Sequence, residues 1–175
     1  VDIARGGEDK TVIAVRKGRW VGKLKKVPGR LTPDGQTIAN LTMAALADGG
    51  VANLDVSGVG SSGYDICKGQ ELPVYAVVFG GKSTARDKNN LFGFQNKRAE
   101  IYWKMREALD PNNEAPLMLP PDPEIISDLT CVRSKPDSLT GMCLEKKDEI
   151  KQRIGRSPDC GDALAMCLIN RMSAA

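Results

Sequence analysis

Between Arg156 and Ile169 the chain reads Arg-Ser-Pro-Asp-Cys-Gly-Asp-Ala-Leu-Ala-Met-Cys-Leu-Ile, an almost wholly apolar segment with two carboxylates at its start. Ser157 as N-cap and Pro158 at the first helical position predict a helix that begins here. Asp159 falls in its first turn. Asp162, three residues on, shares a face with it that continues through Ala163, Met166 and Ile169. A helix this apolar has to be buried. Asp159 suits the positive end of the helix dipole. Asp162 lies past the cap on an apolar surface, where an ionised carboxylate needs a cation, either a metal ion or a buried Arg or Lys.

The remaining composition narrows the chemistry. With 175 residues, residues 1–175 form one domain with a full core. No apolar run approaches the ~20 residues of a membrane span, no membrane partner is expected, and nothing resembles a signal peptide. The five cysteines include no C-x-x-C pair and read as reduced thiols of a cytosolic protein, with Cys160 and Cys167 packing in the core. There is no histidine, which removes Ser-His-Asp and Cys-His catalysis and His-ligated zinc. Acid-base or metal chemistry therefore falls to carboxylates, whose hard oxygens select Mg²⁺ or Mn²⁺.

Taken in order, residues 1–4 read as a strand fragment carrying Asp2, and a chain that opens in mid-strand suggests that a preceding region has been removed. A turn over residues 5–10 leads to strands over 11–16 and 20–27, an antiparallel meander. Helix A spans 37–47. A central strand over 51–56 ends near Asp55, and the glycine-rich residues 57–63 follow it, the way α/β proteins present a ligand group at a sheet edge. No G-x-x-x-x-G-K-[S/T] occurs, so the chain has no Walker-type ATP site. After a helix over 64–68 comes a buried strand over 72–79, then a polar loop over 80–94 expected to be mobile and to gate a cleft. The helix over 96–109 carries a stripe of Ala99, Tyr102, Trp103, Arg106 and Leu109, its aromatics assigned to the core. A short helix over 124–129, strands over 130–133 and 142–144, and a charged helix over 146–154 complete the chain.

From Arg16 to Arg30 the charges are Arg16, Lys17, Arg19, Lys23, Lys25, Lys26 and Arg30, with no acid among them. Such a block is either a solvated edge whose lysines prevent sheet-to-sheet pairing or a surface for phosphates. Arg16, Lys17, Arg19, Lys23, Lys25 and Lys26, with Lys82 and Arg86 of the polar loop, are the candidate DNA contacts. Asp2, Asp55 and Asp162 stand on a first strand, at a central strand's end and on a final helix. Those are the contexts from which carboxylates can hold two Mg²⁺ or Mn²⁺ ions about 3.5–4 Å apart for phosphodiester hydrolysis. Salt bridges from Arg5 or Arg98 would make the same acids structural.

The chain resembles the nuclease domain of tailed-phage large terminase subunits, in the RNase H-like/retroviral-integrase superfamily. The resemblance covers essentially its whole length and rests on Val1-Asp-Ile-Ala-Arg-Gly-Gly-Glu-Asp-Lys-Thr11, Leu54-Asp-Val-Ser-Gly-Val-Gly60, Asn96-Lys-Arg-Ala-Glu-Ile-Tyr-Trp103 and Gly155-Arg-Ser-Pro-Asp-Cys-Gly-Asp-Ala163. It implies an RNase H-like mixed central sheet, an antiparallel front meander followed by parallel strands, flanked by helices. It also implies a metal-dependent endonuclease that cuts concatemeric viral DNA during packaging, in the cytoplasm of a bacterial host. Asp2, Asp55 and Asp162 match the family's catalytic, metal-binding acids, Asp159 looks like an auxiliary ligand, and Asp9 like a structural or supporting acid. Double-stranded DNA, a terminase ATPase domain absent from this chain, a small terminase subunit and a portal are the implied partners. Gly161 departs from the family's usual alanine and is expected to loosen its helix by about 1 kcal/mol. The alternatives are a DNA-binding or assembly module with structural acids, and a branched-DNA resolvase on the same fold.

Overall fold

The computed structural model of the chain describes residues 1–4, 9–137, 139 and 141–169. The expected turn over residues 5–8, and Arg5 as an ion-pair partner, lie outside the described residues. In order the elements are β1 (Lys10–Ile13), β2 (Arg16–Lys17), β3 (Trp20–Val21), β4 (Lys25–Pro28), α1 (Gly35–Ala45), β5 (Ala52–Asp55), α2 (Ser61–Gly69), β6 (Val74–Val77), α3 (Lys97–Ala108), α4 (Pro123–Cys131), β7 (Ser134–Asp137), β8 (Gly141–Leu144), α5 (Lys147–Ile154) and α6 (Asp159–Met166).

The central sheet is organised by the first two residues. The Val1 amine donates to the Asn53 carbonyl at 2.6 Å and the Asp55 N–H to the Val1 carbonyl at 3.1 Å, the slanted pattern of parallel pairing with β5. On the other side Asp2 pairs antiparallel with Val12 of β1, and β1 pairs antiparallel with β4. β5 pairs parallel with β6. The order across the sheet is thus β4, β1, the N-terminal residues, β5, β6, the expected antiparallel front followed by parallel strands. The meander is shorter than its sequence pattern, because β2 and β3 leave it as a separate ribbon.

Both faces of the sheet are covered, and strand periodicity decides what each side chain meets. Val1, Ile13, Leu54 and Val74 pack with Ile38, Ala39 and Cys67 beneath α1 and α2. Their alternates Val12 and Val77 face the other way, against Ile101 and Met105 of α3, Ile125 of α4, and Leu164 and Met166 of α6. Asp2 and Asp55 follow Val1 and Leu54 directly, so they belong to the α6 side. All eight residues of α6 are buried, as an all-round apolar helix must be. Burying Leu164 or Met166 contributes about 1.5–3 kcal/mol each.

Several boundaries and faces differ from the sequence expectation. Residues 130–131 complete α4 instead of opening a strand, and Asp122 caps the helix with Pro123 starting it one residue earlier than expected. Pro136 sits in the exposed edge strand β7, where its missing N–H costs little. On α3 the buried face is Arg98, Ala99, Glu100, Ile101, Tyr102 and Met105, while Arg106 lies outside and stacks on Trp103 at 4.5 Å. Ser157 does not cap α6. That helix starts at Asp159, and its first N–H groups, those of Cys160 and Gly161, donate to the Asp128 carboxylate of α4 at 2.9 and 3.3 Å. No helix among the described residues is long and apolar enough to cross a membrane.

Candidate active site

Asp55 ends β5 at the carboxyl edge of the sheet, where its Oδ1 accepts the Ser57 N–H at 2.9 Å. The turn beyond it wraps tightly, because a Cβ on Gly60 would lie 1.9 Å from the Asp55 carbonyl oxygen. Only glycine allows that approach, so the glycine-rich stretch serves to fold the chain back over the acid. Beside it Asp2, 4% exposed, is held by backbone bonds to Val12 in both directions, at 3.0 and 2.9 Å.

Asp162 stands on α6 just behind these two and is completely buried. Its Oδ1 accepts the Tyr102 hydroxyl at 2.7 Å and Arg98 Nε at 3.3 Å. Its Oδ2 faces the Lys147 ammonium at 2.7 Å, and the same ammonium is 3.9 Å from Asp2 Oδ2. One lysine head therefore bridges two of the three expected metal ligands. Lys147 is aimed there by the start of α5, where the Glu149 carboxylate accepts the Lys146 backbone N–H at 3.1 Å. Burial lowers the Lys147 pKa, but Asp162 and Asp2 outweigh it and hold the ammonium above the usual lysine value. Arg98 is likewise held above its usual value, burial being outweighed by Asp162.

Asp2, Asp55, Asp159 and Asp9 line one cleft of about 720 Å³, together with Gly80, Asn96, Arg98, Lys147 and Lys151. Burial pushes the Asp2 carboxyl well above its usual range, with Asp162, Asp159 and Asp55 adding to the effect and Lys147 opposing it. Asp159 is also raised by burial, although the Lys10 backbone N–H donates to it at 3.0 Å and Ser157 assists. That bond ties α6 to β1, so Asp159 has a structural duty as well as a place in the cleft. Asp9 pairs with Lys151 at 3.0 Å. Among the described residues no three acids, cysteines or histidines yet stand close enough together to form a metal cage. The Lys147 head lies between Asp2 and Asp162.

The eight candidate DNA contacts do not line this cleft. Lys26 is drawn into ion pairs with Asp122 at 2.6 Å and Glu124 at 2.8 Å, Lys17 with Asp48 at 2.7 Å, and Arg16 donates to the Cys167 carbonyl at 2.9 Å. Arg86 donates to the carbonyls of Asn90 and Leu91. Arg19, Lys23, Lys25 and Lys82 are exposed. The loop over 80–94 is laced together: Asp87 accepts the N–H groups of Asn89, Leu91 and Phe92 at 3.1, 2.6 and 3.0 Å. Only Gly80 of that loop reaches the cleft.

Sequence reasoning misses Lys147, Tyr102 and Asp128. In the sequence Lys147 reads as general positive surface, Tyr102 as core, and Asp128 as an ordinary helix residue. A signal exists for the first, because a buried Asp162 demands a cation and the helix just upstream is rich in lysine.

No family model matches the chain, and no curated protein is similar to it in sequence. Solved structures are similar in fold. The nuclease domain of the large terminase subunit gp2 of bacterial virus Sf6 superposes with a TM-score of 0.75 at 22% identity, over 97% of this chain and 86% of that one. A mutant of that domain with manganese and beta-thujaplicinol, and one with calcium, give the same figures. This chain has their mixed α/β fold, the RNase H-like arrangement expected from the sequence.

Proposed function

We propose that this chain is a divalent-metal-dependent endonuclease that cuts double-stranded viral DNA during genome packaging. The observation that carries this reading is the convergence of Asp2 and the buried Asp162 on the Lys147 ammonium, beside a cleft lined by Asp2, Asp55 and Lys147. A site that gathers carboxylates around a cation, with oxygen donors only, fits Mg²⁺ or Mn²⁺. The Sf6 domain of the same fold has been solved with manganese and with calcium, which supports the choice of cation class.

In this reading Asp2 and Asp162 would hold the cation, Asp55 would contribute from the sheet edge, and Asp159 would lend negative charge. Bound there, one or two such ions supply activation of water and neutralisation of the phosphate and departing oxygen. Lys147 has to release Asp2 and Asp162 first. Its side chain is 38% exposed and lines the cleft, so the freed ammonium could turn to a DNA phosphate. Arg98 stays in place, because it also donates to the Glu145 carbonyl at 3.0 Å. A terminase ATPase, a small subunit and a portal are the partners that this role calls for.

The test is nicking of supercoiled plasmid with Mn²⁺. The chain should cut, EDTA should stop it, and Asp55→Asn should lower the rate by two or more orders of magnitude at unchanged thermal stability. Undiminished nicking by Asp55→Asn would remove Asp55 from the site. The pairing of Asp162 Oδ1 by Tyr102 and Arg98, with Lys147 beside Oδ2, favours a second reading, a DNA-binding module whose acids are structural. Calorimetry separates the two, since that module would bind DNA but no Mn²⁺ at millimolar concentration.

A further inference from the structure

The two oxygens of Asp162 are used differently. Oδ1 takes the Tyr102 hydroxyl and Arg98 Nε, both from α3, whereas Oδ2 faces Lys147. A carboxylate turns through a broad, roughly twofold well about its last torsion, so this division has to be imposed from outside. The Arg98 contact is the longer, at 3.3 Å, and that guanidinium is shared with the Glu145 carbonyl. The Tyr102 contact is shorter, at 2.7 Å, and comes from a buried ring with only two side-chain torsions.

The phenol reaches Asp162 by crossing α6 over Gly161. A Cβ on that residue would lie 2.9 Å from the Tyr102 hydroxyl and 3.3 Å from the Asp128 Cβ. Asp128 has no room to yield, being fully buried, bonded to two N–H groups of α6 and paired with Arg156. The ring would have to move. The glycine that departs from the expected alanine is therefore the gap through which the phenol passes.

We infer that Tyr102 is a positioning residue for the cation site, acting through Asp162: it anchors Oδ1, keeps Oδ2 directed to the place Lys147 now fills, and is admitted by Gly161. This rests on the cation reading above.

The experiment is calorimetric titration of the full chain with Mn²⁺, alongside its thermal midpoint. Tyr102→Phe removes only the hydroxyl and should weaken Mn²⁺ binding roughly tenfold. Gly161→Ala should give a similar loss by displacing the ring, although alanine on its own favours a helix. The double variant should bind no more weakly than either single one, because each removes the same hydrogen bond. A merely structural role predicts lowered midpoints with unaltered Mn²⁺ affinity of the folded protein. Wild-type-like affinity in Tyr102→Phe overturns this inference alone, and absence of Mn²⁺ binding by the wild type overturns it together with the cation reading. If Gly161→Ala does not fold, the Tyr102→Phe result decides.

Discussion

The fold treats two groups of carboxylates in opposite ways. At the start of α4, Asp122 and Glu124 meet Lys26 at 2.6 and 2.8 Å, and Glu124 meets Lys10 at 2.8 Å. Lys26 holds Asp122 below its usual range, and for Glu124 the two lysines outweigh the effect of burial. At the cleft, Lys147 faces both Asp2 and Asp162, Arg98 pairs with Asp162, Asp55 and Asp159 have no ion pair among the described residues, and burial drives Asp2 and Asp159 upward. The first group has as much positive charge as it needs and ties α4 to β1 and β4. The second has too little, and a region left short of positive charge is one prepared to receive it.

The largest way to break this contrast is to remove the cation each group now has. Lys147→Met would leave the fully buried Asp162 with Arg98 as its one cation, a loss of about 3 kcal/mol, the low end for a buried pair because Arg98 and Tyr102 remain. At this chain length that lowers Tm by roughly 10 °C. Millimolar Mn²⁺ should restore most of the loss and should raise the Tm of the variant more than that of the wild type. A Tm for Lys147→Met that ignores Mn²⁺ would mean that the two acids do not form a cation site.

A smaller effect is expected at the matched group. Lys26→Met should cost about 1 kcal/mol, as for a partly exposed pair, and Mn²⁺ should not recover it. The pH dependence has a definite sign. Asp122 and Glu124 have folded pKa values below their ordinary 3.8 and 4.5, so their contribution is complete above those values and lost as pH falls through the depressed ones. An acid melt of the wild type should lose this stability below about pH 4.5, and Lys26→Met should flatten that part of the curve. Equal slopes in the two proteins would dissolve the contrast from the structural side.

How much of this is legible in the sequence follows from the range of each interaction. The strands over 11–16 and 51–56 can be read because their β-branched and apolar runs are local signals, and strand periodicity then sets Asp2 opposite Val1 and Asp55 opposite Leu54. The burial of Asp162 is legible from the apolar run around it. What satisfies Asp162 is legible only in part: Arg98 can be named as a salt-bridge partner and does pair with it, but Tyr102, 60 residues away, reads as plain core, and Lys147 reads as general positive surface. The cap of α6 misleads for a similar reason: Ser157 has the right chemistry in the right place, but Asp128 supplies the acceptor from another helix. The basic run looks uniform in sequence, and only the tertiary pairs separate Lys26, which is engaged, from Lys23 and Lys25, which are exposed.

That separation gives the smallest and most selective prediction. If the front of the sheet touches DNA beside the cleft, the contact falls to Lys23 and Lys25, since Lys26 would have to abandon two carboxylates to take part. Reversing Lys23 and Lys25 to glutamate should change stability by no more than about 0.5 kcal/mol, as for exposed positions away from the core. It should also leave Mn²⁺ affinity unchanged, because neither residue lines the cleft. DNA binding should weaken and its dependence on salt should flatten, by about one unit of log-log slope for each phosphate that a lysine no longer neutralises. Reversal of Lys26 alone should do the opposite, lowering Tm through Asp122 and Glu124 with little change in the salt slope. A salt slope that responds to Lys26 and not to Lys23 or Lys25 would mean that DNA competes for the matched group after all. The two carboxylate regions would then differ only in which polyanion or cation displaces the lysine.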